Sequence, residues 1–373
     1  MPVTKIHTGM KRCLLNVDGT VNYFLDANDS TKKADGTNAD LTGADGQVMV
    51  QIPKFYYRYV KIGDVHHWEI NDKPKLGFTL HPAFVKAGVE VDYRYYSAYD
   101  ACYLDATDGL YKSGLNLDDI TSSIDTANDK LGSVSGIYPL VGNTIVESRS
   151  LASNVGTGWH QLDYYLMSAV QLLYLVEYGD FDSQATLGDG NTNGTYLVSS
   201  ANQNDSPHTI AGASNSWGNN STDGSQPSAG AKPGTAYMSY RGIENFFGNK
   251  WDWVDGIFIN PTAGDTDGWY ATNDYEDFSD NVTGKTKIAT SMPADGYVVE
   301  IVPTAGPVFI PSSTSGGSSS TYLSDYFYDD NGNKDRALFF GGGAFNGAQA
   351  GAFLIGANGA SISNRVYGAR LAF

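Results

Sequence analysis

From Gly242 to Gly256 the chain reads Gly-Ile-Glu-Asn-Phe-Phe-Gly-Asn-Lys-Trp-Asp-Trp-Val-Asp-Gly. Four large aromatic side chains alternate closely with polar ones. Burying Trp251 or Trp253 takes a large area out of water, and each indole N–H then needs an acceptor. Asn249, Asp252 and Asp255 are placed to supply acceptors or to tie down backbone beside the rings. Gly248 and Gly256 permit backbone turns that a side chain would forbid. The stretch predicts a buried aromatic knot from which loops emerge.

With 373 residues the chain can bury a large core, as one large domain or two ordinary ones. Its charged fraction is 17% while Gly (43) and Tyr (25) are abundant, a bias toward loops, strands and contact surfaces of low side-chain entropy. The formal net charge of -17 argues against gripping phosphate backbones or anionic lipid, which needs clustered Lys and Arg. Neither a nucleic-acid partner nor membrane insertion is expected. No apolar run approaches the ~18 residues of a membrane span, and none follows Met1–Lys5 as in a signal peptide. A protein of this kind acting outside a cell would leave by another route, such as a virion released by lysis. Cys13 and Cys102 allow one disulfide but no disulfide framework; small buried residues are the simpler reading.

Residues 1–80 alternate short apolar runs with Asp/Gly/Asn clusters, including the Asp18-Gly19 turn signal and the strand-like segments Gly46–Pro53 and Phe55–Val60. They predict a small β-rich N-terminal region, 1–85. Gly88–Leu104 reads as the first strand of a larger domain, 86–373, and 105–150 as loops with a short helix. Near 159–178, Leu162, Leu166, Ala169, Leu173 and Val176 recur at helical spacing, with Gly179 as a stop. Residues 180–238 are rich in Gly, Asn, Ser and Asp. A structureless stretch of that length is unusual, so ordered loops anchored by Trp217 and Tyr237 are expected. Gly296–Val302 reads as a strand and Pro311–Thr321 as a flexible loop.

Tests for chemistry return little. Asp189–Gly194 matches the first half of a Ca²⁺ loop, but Ser200 stands where the bidentate Glu belongs, and a turn-rich loop is the simpler reading. The six histidines show neither H-E-x-x-H spacing nor a partner Cys cluster, so no metal site is predicted. There is no G-x-S-x-G elbow, no P-loop and no Rossmann fingerprint. The carboxylate pairs of so acidic a chain are ordinarily solvated faces. No enzyme is expected.

The tract 341–367 is a frame of Gly, Ala and Asn into which side chains of unrelated type are set. Its plain reading is a Gly/Ala-rich loop before a final strand; its sharper reading is a rigid loop displaying interchangeable side chains, as in a paratope. The G-N-x-W-D-W run at 248–253 resembles the core motif of the formylglycine-generating-enzyme branch of the C-type lectin fold. That branch also carries the hypervariable ligand-binding proteins of diversity-generating retroelements, and the frame A-L-F-F-G-G-G…N-G-A-x-A-G-A-F…G-A-R-L-A-F at 337–373 resembles their variable region. Gly43–Phe55 and His81–Phe84 resemble the opening of phage and prophage tail-associated proteins that end in this fold.

The resemblance implies an α+β, C-type lectin-like domain. It also implies a phage or prophage receptor-binding protein, located in the virion tail, homo-trimeric, joined to other tail proteins and binding a bacterial surface protein or glycan. Its diversified ligand-contacting positions would be Phe345, Asn346, Gln349, Phe353, Leu354, Ile355, Ala357, Asn358, Ser361, Ser363, Arg365 and Tyr367. Phe353, Leu354, Ile355 and Tyr367 would be the apolar anchors. Gly341, Gly342, Gly343, Gly347, Gly351 and Arg370 would be scaffold, and Gly248, Asn249, Trp251, Asp252 and Trp253 the structural motif. The oxidases of this branch depend on a cysteine pair in the C-terminal half, whereas both cysteines here precede residue 103. That activity is therefore not implied. The fold often holds Ca²⁺, and a Ca²⁺-dependent lectin or a fixed structural tail protein are the alternatives.

Overall fold

In a computed structural model, Trp251–Asn260 is a ten-residue strand buried along all but its last residue. The structure describes residues 3–63, 65–112, 124–194, 208–223, 236–260, 268–290, 292–302, 309–329 and 335–373. Gly248 and Asn249 enter the strand through left-handed backbone, at φ 76° and 64°. The strand lies within an eight-stranded sheet. Arg336–Phe340 pairs antiparallel along one edge. The other edge is shared by Gly268–Ala271, antiparallel, and Tyr367–Gly368, parallel. Beyond Arg336–Phe340 lie Ile355–Asn358 and then Tyr326–Asp329.

A second sheet of six strands runs in the order His160–Gln161, Leu371–Ala372, Tyr93–Ser97, Gln47–Pro53, Lys11–Leu15, Val21–Phe24. It draws strands from both sides of residue 85. Gln47–Pro53 pairs residue by residue with Tyr93–Ser97, so part of the expected N-terminal region belongs to the same sheet as later strands. The segment with a sheet of its own is Tyr56–Ile62 with Val65–Asn71 and Thr79–Leu80. Strand outweighs helix, 34% to 15%, making this a mixed, sheet-rich fold.

The expected helix is present from Tyr164 to Tyr178. It starts later than its periodicity suggests, because His160–Gln161 pairs with Leu371–Ala372 and Asp163 caps it, accepting from Leu166 N at 2.9 Å. Gly179, at φ 70°, ends it with its N–H on Leu175 O. Leu166, Ala169, Val170 and Leu173 join Val50 and Tyr96 of one sheet and Val254 and Leu338 of the other in a single core. Burying each Leu or Val side chain among them contributes about 1.5–3 kcal/mol.

Several local expectations change. Gly296–Val302 is two short strands, Gly296–Tyr297 and Glu300–Ile301, bonded to different partners. Pro311–Ser313 is paired with Glu300–Ile301 rather than looped out. Within 180–238, Trp217 and Tyr237 stack at 4.7 Å, while 195–207 and 224–235 lie outside the described residues. Cys13 and Cys102 are unpaired and buried, and burial pushes both thiols up to about 12.

Candidate ligand-binding site

Side chains of a strand alternate between faces, and the eight-stranded sheet divides its residues accordingly. Val254, Leu338, Phe340, Ile355, Ala357 and Phe327 enter the main core. Trp251, Trp253, Ala337 and Phe339 occupy the opposite face with Leu354, Val366 and Tyr367. There Trp251 meets Phe339 edge-on at 4.5 Å, and Trp253 stacks on Tyr367 at 4.8 Å. The Trp253 indole N–H donates to Asn143 O at 3.0 Å, the acceptor its burial demands. Gly356 lies beneath this face, and a Cβ there would run into the Phe339 ring.

Above that aromatic floor is a recess of about 750 Å³, walled also by Tyr326, Tyr328 and Asp295 and by the segments carrying Phe345, Asn346, Gln349, Ile362 and Asn364. Three wall asparagines are fixed by their own backbone. Oδ1 of Asn346, Asn358 and Asn364 accepts from the N–H of Gly343 (2.7 Å), Gly359 (2.7 Å) and Val366 (2.9 Å). Because an N–H needs an acceptor, the carboxamide oxygen is the atom on the backbone side, and among the described residues each NH₂ is left without a backbone partner.

Of the twelve positions expected to contact ligand, Phe345, Asn346, Gln349, Leu354, Asn358 and Tyr367 line this recess. Ser361 and Ser363 are exposed on the segment around Ile362. Arg365 is half-buried, and its carbonyl lies 2.8 Å from His208 Nε2. Phe353, Ile355 and Ala357 are corrections: they point into the core. The Phe353 ring packs against Phe181 (4.7 Å) and Phe309 (4.9 Å), so it is no anchor for a ligand. Strand alternation sends Ile355 and Ala357 to the face opposite Asn358. Sequence reasoning missed Tyr326, Tyr328, Phe339 and Asp295 as wall residues. The alternation of Tyr326-Phe327-Tyr328 was the available signal for the first two.

Beneath the recess the G-N-x-W-D-W run is held by buried charge. Arg370, fully buried, donates to Asp252 at 2.7 Å and to the carbonyls of Glu244 (2.8 Å) and Asn245 (2.6 Å), and pairs with Asp100 at 2.6 Å. Lys250 joins both carboxylates. Burial alone would raise the Asp100 carboxyl, but Arg370 and Lys250 hold it below its ordinary value. Asn249 donates to Asp100 at 2.6 Å and accepts from Thr209 N and Asn191 Nδ2, both at 2.8 Å. Asn191 of the Ca²⁺-like loop is thus turned toward the knot. Among the described residues no group of three His, Cys, Asp or Glu is placed to hold a metal ion.

No protein-family model matches the chain, and no curated protein matches its sequence. Among the described residues no helix is long and apolar enough to cross a membrane.

Proposed function

We propose that the chain is a receptor-binding protein of a phage or prophage tail, recognising a bacterial surface ligand through the recess framed by residues 345–367. The observation that carries this reading is the recess itself: a concave aromatic site of the volume small ligands occupy, walled largely by the tract in which side chains of unrelated type are set in a Gly/Ala/Asn frame. Its described lining contains a single carboxylate and no His, Cys, Ser, Lys or Arg, which suits recognition better than acid–base or nucleophilic chemistry. The frame below is tied by the buried charges of Arg370, Lys250, Asp100 and Asp252, none of which belongs to the wall. The resemblance to the C-type lectin-like variable proteins of diversity-generating retroelements supports the same reading, and so does a sheet-rich fold closed by its C-terminal strands. Assembly as a homo-trimer would multiply a weak single site by avidity.

Sequencing the 3′ end of many copies of the gene, with flanking DNA, tests this. Substitutions should fall within codons 344–367, concentrate at 345, 346, 349, 354, 358, 361, 363, 365 and 367, and spare the core-facing 353, 355 and 357. A near-identical template repeat and a reverse transcriptase gene should lie nearby. An invariant 3′ end with neither neighbour overturns the reading in favour of a fixed structural tail protein.

A further inference from the structure

The chemistry of the wall narrows the ligand. Aromatic faces from Trp251, Tyr326, Tyr328, Phe339, Phe345 and Tyr367 meet amides from Asn346, Gln349, Asn358 and Asn364 in one recess. The three asparagines have their oxygens engaged by backbone, and no described residue takes their NH₂ groups. The recess therefore offers neutral hydrogen-bond donors between π-faces. An anionic ligand would meet no cation among the described residues of the lining, which include no Lys, Arg or His. A cationic ligand would meet one carboxylate, Asp295, which already accepts from Asp329 N and lies within the field of Arg336. A ligand suited to both features is uncharged, carries C–H faces that stack on rings, and displays many oxygen acceptors. That combination describes a sugar ring.

We propose that the recess binds an uncharged saccharide segment, with ring faces stacked on the aromatic floor and hydroxyl, ring or acetamido oxygens taken by the carboxamide NH₂ groups. The proposal rests on the reading of the recess as the recognition site. It favours a sugar chain over a protein epitope, because protein partners ordinarily cover about 800 Å² of each surface, whereas the built chemistry here is gathered in one pocket.

The test uses the full chain in calorimetric titrations with maltotriose, mannotriose and the N-acetylglucosamine trimer. Sialyllactose and the glucosamine trimer serve as charged counterparts. Tyr328→Ala and Gln349→Ala alter the wall at partly exposed side chains; Leu76→Ala, at a 98% exposed turn position that is not part of the lining, is the control. At least one neutral trisaccharide should bind, with its Kd raised about tenfold or more in both wall variants, about 1.4 kcal/mol, and unchanged in the control. The charged sugars should bind at least about tenfold more weakly. Absence of any neutral binder, or binding that survives both substitutions, overturns the saccharide proposal. A parallel assay measures adsorption of the same variants to a panel of bacterial strains treated with periodate or protease. Adsorption lowered by the wall substitutions but sensitive only to protease leaves the recognition reading standing and sinks the sugar. Adsorption indifferent to both substitutions sinks the recognition reading as well.

Discussion

Arg370 shows what a single residue does in this protein. It is fully buried, and its guanidinium bridges Asp100 and Asp252 while binding two backbone carbonyls. The site is a planar fork meeting two carboxylates, a geometry an ammonium cannot copy. Arg370→Met would leave two buried carboxylates to Lys250 alone, and removing one partner of a buried charge set typically costs about 3–5 kcal/mol. Urea unfolding should show that loss, and Arg370→Lys should recover only part of it. A Met variant as stable as the parent would mean that the lattice contributes nothing net. The sequence marked Asp252 as part of a motif and Arg370 as scaffold, but not that the two, 118 positions apart, pair. Short-range spacing reports local geometry, and a long-range ion pair leaves no such trace.

Among elements, the strand Ile355–Asn358 most changes the reading of the C-terminal tract. Gly356 and Ala357, small and adjacent, leave it no hydrophobic period, so its sequence reads as loop. The structure pairs it on both sides, with Arg336–Phe340 and Tyr326–Asp329, and that pairing divides the candidate residues into wall and core. The approach to this strand is fixed by Asp325. Its carboxylate accepts from Phe353 N at 2.7 Å, and a Cβ on Gly351 would collide with it. Asp325 is 4% exposed with no cation beside it among the described residues, and burial raises its carboxyl well above the ordinary value. A raised carboxyl means that the folded state keeps a proton the unfolded chain releases. Its contribution is full below about pH 4, the unfolded value, and is lost as pH rises through the folded one. Asp325→Asn keeps an acceptor for Phe353 N and never ionises. It should match the parent near pH 4 and exceed it in melting temperature at pH 7 and above. Asp325→Ala, which strands the Phe353 N–H, should cost about 1–3 kcal/mol throughout. An Asn variant less stable at pH 8 than at pH 4, relative to the parent, would show that the charged form is the one the fold prefers.

At the scale of the whole molecule, helix position, strand-rich character and the aromatic knot were legible because each depends on neighbours in sequence. The closure was not: Leu371–Ala372 slips between His160–Gln161 and Tyr93–Ser97, and no local period announces such a pairing. Where those strands meet, Arg94 pairs with Asp163 at 2.6 Å beside His81 and His160. His160 donates from Nδ1 to Gln161 O at 2.7 Å and accepts from Arg94 at Nε2, 3.1 Å away, an arrangement that requires the neutral ring. Burial first, then the charges of Lys86 and Arg94, push His160 down to about 3; burial, with Arg94 and against Asp163, does the same for His81. With folded values below the unfolded ~6.5, both rings stay neutral while the unfolded chain takes up protons. Stability should therefore be full above about pH 6.5 and fall progressively toward pH 3, by on the order of a few kcal/mol for each ring. The net charge of -17 acts in the opposite sense, because acid relieves self-repulsion. That relief is spread over the surface and is common to any variant. His160→Gln, which can still donate to Gln161 O and accept from Arg94, isolates the histidine contribution. Its melting temperature should fall less steeply than the parent's between pH 6.5 and 4, and parallel profiles for the two proteins would show that His160 is not held neutral by the fold.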